Sequence, residues 1–157
     1  MDRKCYLAIR IRGGVNLSDR NEKNLRFLRM DRNMTATFLD DRPDYAGMLQ
    51  RARDQVTWGE PTIEMIRLIL EKRGRIVGDK PIDISTVKAW GFDSFDELAT
   101  AIHSCQVELD KLMGAKPFFR LHPPRKGFKR TIKKHYGNDG ELGYRGEAIN
   151  ELAKRMS

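Results

Sequence analysis

From residue 5 to residue 12 the chain alternates. Cys5, Leu7, Ile9 and Ile11 fall on one side, and Tyr6, Ala8, Arg10 and Arg12 on the other. A period of two marks a half-buried strand, and Gly13-Gly14 ends it. Ser18 can cap a helix running to about Met30 with Leu25 and Leu28 inward. Asn33 opens a second strand, in which Met34, Ala36 and Phe38 oppose Thr35 and Thr37. Pro43 stands where a first-turn proline is tolerated. After it, Tyr45, Met48, Leu49, Ala52 and Val56 recur at helical spacing, so a helix is predicted as far as Val56. Trp58-Gly59-Glu60-Pro61 breaks the pattern.

The middle of the chain reads as helical. Ile63, Ile66, Ile69 and Leu70 turn inward on one helix, which Gly74 stops. Residues 78–81 form a loop, and a short helix is predicted over 85–90. Ser94-Phe95-Asp96-Glu97 is a capping box. The helix it starts carries Phe95, Leu98, Ile102, Cys105, Leu109 and Leu112 on one face and ends at Gly114. Residues 118–121 can form a third strand. A last amphipathic helix is predicted over 147–156, with Ile149, Leu152 and Met156 inward. Strands and helices in this order predict an α+β fold. A small sheet with helices on one face would leave the other face free, and Arg10 and Arg12 would point to it or to the strand's end.

Charge changes the picture. The chain has 30 Lys and Arg against 22 Asp and Glu. Residues 111–138 contain no acid but nine cations: Lys111, Lys116, Arg120, Arg125, Lys126, Lys129, Arg130, Lys133 and Lys134. The remainder holds 21 cations and 22 acids, so the positive excess lives in this one stretch. Pro123-Pro124 stiffens its entry, and Phe118, Phe119, Phe128 and Tyr136 are interleaved with the cations. Such a segment suits RNA, because cations neutralise phosphates while aromatic and guanidinium planes stack on unpaired bases. Arg10, Arg12, Arg120, His122, Arg125, Lys126, Lys129, Arg130, Lys133 and Lys134 are the candidate RNA-binding residues. Residues 125–138 have few apolar groups, and are expected to take a fixed conformation only on RNA.

Other chemistry finds no support in the sequence. Cys5 and Cys105 sit in apolar patterns as core residues do. With no CxxC and no Cys/His cluster, the sequence argues against zinc and against a disulfide framework, and for a reducing cytoplasm. His103 fits a helix surface, and His122 and His135 belong to the basic stretch. Asp40-Asp41 precedes Pro43, where capping explains a carboxylate better than acid–base work does. The Gly74–Lys80 sequence GRIVGDK lacks the Gly-Lys-Ser/Thr ending of a phosphate loop. The N-terminal apolar stretch is too short for a signal peptide, and no run approaches the roughly 20 apolar residues a membrane span needs. No catalytic residue, cofactor, metal or small-molecule substrate is expected.

Three stretches carry a family resemblance: RPDYAGMLQRARDQVTWGEP from Arg42, FFRLHPPRKGFK from Phe118, and GELGYRGEAINELAKRM from Gly140. With the opening strand and Gly13-Gly14-Val15-Asn16, they resemble the ribosomal protein L-thirty family in its archaeal form, in order and over nearly the whole chain. The resemblance implies a β-α-β-α-β core, ferredoxin-like, with a small antiparallel three-stranded sheet. It also implies a helical insertion and a basic C-terminal extension. Residues 1–157 would then form a single domain, with 1–58 as the β-α-β-α core and 59–115 as the insertion. Residues 116–157 would supply the third strand, the basic segment and the last helix. The implied role is non-catalytic, that of a structural constituent of the large ribosomal subunit that binds ribosomal RNA beside neighbouring ribosomal proteins. One departure is visible: family members usually carry two glycines after Pro-Pro-Arg, and Lys126 takes the place of the first. An RNA chaperone or RNA-processing factor outside the ribosome shares the charge pattern. A nuclease, however, would need paired carboxylates or a His/Lys constellation beside the basic face, and neither is found.

Overall fold

The computed structural model describes residues 4–13 and 17–157, so Gly14, Val15 and Asn16 of the expected strand end and family motif lie outside the described residues. The strands are β1 (Cys5–Arg10), β2 (Thr35–Asp40), β3 (Val56–Gly59), β4 (Arg75–Ile76), β5 (Lys80–Pro81), β6 (Phe119–Arg120), β7 (Thr131–His135) and β8 (Gly140–Tyr144). The helices are α1 (Asp19–Phe27), α2 (Pro43–Arg51), α3 (Ile63–Arg73), α4 (Ile84–Ala89), α5 (Phe95–His103) and α6 (Ile149–Met156). The α+β class stands, but the expected three-stranded sheet does not. Six strands form the main sheet in the order β6-β2-β1-β3-β8-β7, and β4 and β5 make a separate ribbon.

The extra strands have physical causes. Val56 fits the helical period of α2, yet that helix ends at Arg51 and the chain turns. Val56 and Trp58 then bury on one face of β3 while β3 pairs antiparallel with β1, Arg10 opposite Val56 and Leu7 opposite Gly59. Without β3, the central strand β1 would leave a row of backbone groups unpaired. The strand then brings in β8, parallel to it, with Thr57 opposite Gly143. At the other edge β6 pairs antiparallel with β2, Ala36 opposite Phe119.

Helices cover both faces of the sheet, against the expectation of one. Cys5, Leu7, Ile9 and Ile11 pack on one side with residues of α3, α5 and α6. Ala8, Leu39, Val56 and Trp58 pack on the other with Leu25, Leu28, Leu49 and Ala52 from α1, α2 and their ends. The alternation of β1 was therefore read correctly, but its second face is a second core. Arg10, placed by the sequence reading on a free face, is only 5% exposed.

Two further helices stop early. The helix begun at Ser94 was expected to reach Leu112 but ends at His103. Cys105 takes φ 61°, Cys105 N–H donates to Ile102 O, and Gln106 N–H donates to Ala101 O. This is a Schellman stop, which usually announces itself by glycine. Arg29, at φ 62°, ends α1 in the same way. Leu109 and Leu112 still reach the core from the short turn that follows α5. Ile63, expected inward, is 37% exposed, and Met65 fills the core instead.

Candidate nucleic-acid interface

The basic stretch is continuous in sequence and divided in space. Its first part forms β6 at one edge of the sheet and its last part forms β7 at the other. Between them the chain runs along the end of α6. Leu121 N–H donates to Met34 O (2.9 Å), His122 N–H to Met156 O (3.0 Å) and Arg125 N–H to Arg155 O (3.1 Å). The Arg155 guanidinium donates to Gly127 O, and Lys129 pairs with Glu151. That pairing holds the Glu151 carboxyl below its usual range, the hydrogen bond from Lys129 being the main cause. Phe128 and Ile132 pack against the core, so these residues have apolar anchors that the sequence reading did not credit.

The candidate residues fall into distinct settings. Arg10 is spent inside the fold: its Nη1 donates to Met30 O at 2.9 Å and Asp31 O at 2.6 Å. Burial pulls its guanidinium below the ordinary value, while nearby Asp31 and Glu22 hold it up. Arg12 is half-buried just beyond β1. His122 is half-buried, its Nε2 2.7 Å from Ser157 O and its Nδ1 2.6 Å from Pro123 O. Arg125 and Lys126 are exposed in a turn closed by Gly127 N–H donating to Pro124 O at 3.0 Å. Lys126 holds φ 64° there, so the lysine keeps the left-handed conformation for which glycine is suited. Lys129, Arg130, Lys133 and Lys134 are exposed on and beside β7.

A buried polar network fixes β7 against β8. Glu141 and Arg145 form an ion pair at 2.7 Å, their side chains only 6% and 5% exposed. Arg145 Nε donates to Thr57 Oγ1 (2.7 Å), whose hydroxyl donates to Gly143 O (2.8 Å). The other Glu141 oxygen accepts from Arg130 N–H (3.0 Å). Two guanidinium groups lie over the Tyr136 ring, Arg145 at 5.0 Å and Arg130 at 5.5 Å from its centroid. Lys133 and Lys134 are exposed on the strand that this network ties down at its start.

The other edge carries cations that the sequence reading missed. Arg26, Arg29 and Arg32 from α1 and the turn after it line a groove with Phe118 and Arg120. Arg73, Arg75 and Lys116 line an adjoining hollow that shares Phe118 and Arg120. The spacing of Arg26, Arg29 and Arg32 gives no clean signal for this cluster, because α1 ends at Phe27 and Arg29 is its left-handed stop. The cluster was also hidden because acids elsewhere in the chain balance these arginines in the overall count. Arg42 is a structural cation of another kind. It makes a bidentate pair with buried Asp40, pairs also with Glu108, and lies 4.7 Å from the Tyr45 ring centroid. Asp40 also accepts from Arg42 N–H at 3.1 Å, but no side chain caps the start of α2, so Asp40 serves as the partner of Arg42 and not as the expected helix cap.

No protein-family model matches the chain. Its sequence is 47% identical over 158 residues to large ribosomal subunit protein uL30 of Ignicoccus hospitalis, covering 99% of both chains. It is 45% identical over 152 residues to the uL30 protein of Thermofilum pendens, covering 96% of this chain and 97% of that one. With the Methanopyrus kandleri uL30 protein the identity is 44% over 148 residues, covering 93% and 99%.

Proposed function

Because the chain belongs to the uL30 family of large ribosomal subunit proteins, we propose that it is a structural constituent of the archaeal large subunit that binds ribosomal RNA through its basic C-terminal segment. The family is one of structural proteins and not of enzymes. The observation that carries the RNA-binding part is the exposed cation row on and beside β7: Lys129, Arg130, Lys133 and Lys134. Arg125 and Lys126 are exposed as well and extend the contact, with half-buried His122 before them, while Arg120 is exposed on β6 at the opposite edge. Arg12 is half-buried and contributes at most a flanking contact. Arg10 drops out of the RNA-binding set because its guanidinium is already committed to backbone carbonyls. Fixed cations on an ordered strand neutralise phosphates at low entropic cost. Arg130 N–H ties the start of β7 to the Glu141–Arg145 pair, while His122, Arg125 and Lys129 are held against α6. Residues 59–115 form the family's helical insertion in this reading, and neighbouring ribosomal proteins are its further partners. The place of action is the ribosome, in the cytoplasm.

Sedimentation of a lysate through a sucrose gradient tests this, at moderate salt and again at low magnesium to split the subunits. The protein is expected to travel with the large subunit in both. Recovery only at the top of the gradient would remove the ribosomal role and favour a free RNA chaperone or processing factor.

A further inference from the structure

Building on the reading of this chain as a ribosomal RNA-binding protein, we propose a second and separate RNA site at the β6 edge. There an unpaired nucleotide stacks on Phe118, and its flanking phosphates are held by arginines from α1 and from the end of α3. The groove is an open cavity of about 420 Å³, within the range of pockets that take small organic groups. Phe118 is half-buried between this groove and the adjoining hollow. The Arg120 guanidinium lies 5.9 Å from the Phe118 centroid, an aromatic–guanidinium pair of the kind that receives a base.

The charge around the ring favours a polyanion. The two cavities are lined by seven cations and two acids, Asp31 and Asp79. Lys116 pairs with Asp79 at 3.3 Å and Arg29 with Asp110 at 3.1 Å. Among the described residues, no carboxylate pairs with Arg26, Arg32 or Arg120. Arg73 Nε is buried without a hydrogen-bond partner among them. An aromatic ring with Arg120 beside it, in a groove that Arg26 and Arg32 also line without a carboxylate partner, suits a flat base joined to phosphates. It does not suit an apolar peptide, which would leave the cations desolvated and unpaired. Bases inside an A-form helix are closed to such a ring, so the occupant is unpaired.

Three variants and one control separate this site from the β7 segment. Binding to large-subunit ribosomal RNA is measured by filter retention across a salt series, with circular dichroism melts confirming that each variant folds. Arg26→Ala, Arg32→Ala and Arg73→Ala combined should flatten the log–log salt slope by roughly 2 to 3 units. Phe118→Leu should weaken binding by about 5- to 100-fold and leave the slope unchanged, because no charge is lost. Phe118→Tyr should bind like the parent. The control removes the four cations on and beside β7. Parental binding by the triple arginine variant and by Phe118→Leu, with a flattened slope in the control, would overturn the groove site and leave the proposed function standing. Equal loss in Phe118→Leu and Phe118→Tyr would reduce the ring to a packing role and also overturn the site. A parent protein that prefers ribosomal RNA no more than an unrelated RNA of equal length would overturn both readings.

Discussion

Arg145 shows how one side chain can set the shape of a binding surface without touching a ligand. Its guanidinium bridges Glu141 on β8 and Thr57 on β3, and lies over the Tyr136 ring, which Arg130 also approaches. A buried pair of this kind adds little net stability over an apolar replacement, but breaking it strands a buried charge. Arg145→Met is therefore expected to lower stability by about 3 to 5 kcal/mol, read by urea unfolding. Adding Glu141→Leu should restore part of that loss, and a double variant no more stable than the single one would show that the pair is not the cause. Lys126 makes the opposite case. Its left-handed backbone (φ 64°) costs a side-chain-bearing residue about 1 to 2 kcal/mol. Against this, glycine gives up about 0.5 to 1 kcal/mol of entropy. Lys126→Gly should thus raise stability by up to about 1 kcal/mol while losing one phosphate contact. A fall in the midpoint of unfolding would mean that the turn does not strain the lysine.

Among the elements, β7 carries the most direct prediction. Replacing Lys129, Arg130, Lys133 and Lys134 by alanine should flatten the salt dependence of RNA binding by roughly 3 to 4 units in the log–log slope. An unchanged slope would remove these residues from the interface. Strands β1 and β2 and helices α1, α2, α3, α4 and α6 were legible because their apolar residues keep the period of the element on at least one buried face, whereas the second buried face of β1 was not legible. The helix stops at Arg29 and Cys105 were not, because neither left-handed residue is a glycine. Strand β3 was hidden because Val56 satisfies the helical period and the strand period alike, and only the unpaired edge of β1 decides between them. Strands β7 and β8 were masked by charge. Thr131–His135 buries one edge through Ile132 alone, and what fixes it is the sheet edge it joins and the buried Glu141–Arg145 pair, whose Glu141 accepts from Arg130 N–H just before the strand. Of the candidate site, the cations of residues 120–134 were read directly. The arginines of α1 and α3 were not, since folding alone brings them beside Phe118.

Across the whole molecule, the division of the basic stretch matters more than its total charge. The sequence suggests one cationic tail, whereas the fold sends its two ends to opposite edges of a six-stranded sheet. Strands spaced about 4.8 Å apart put those edges roughly 24 Å from each other, well beyond the Debye length of about 8 Å at physiological salt. Under the proposed function, the two surfaces would therefore act on RNA as independent contacts rather than one field. A protein with two separated cationic edges on a rigid sheet is suited to bracing RNA segments that lie far apart in sequence. Once one edge has bound, the other meets its segment at a high effective concentration. Hydroxyl-radical footprinting of large-subunit RNA should then show two sets of protected nucleotides. Alanine at Lys129, Arg130, Lys133 and Lys134 should erase one set, and alanine at Arg26, Arg32 and Arg73 the other, each leaving the opposite set in place at saturating protein. The loss of both sets on either change would mean that the edges share one RNA segment, and that the sheet orients a single contact instead of spanning two.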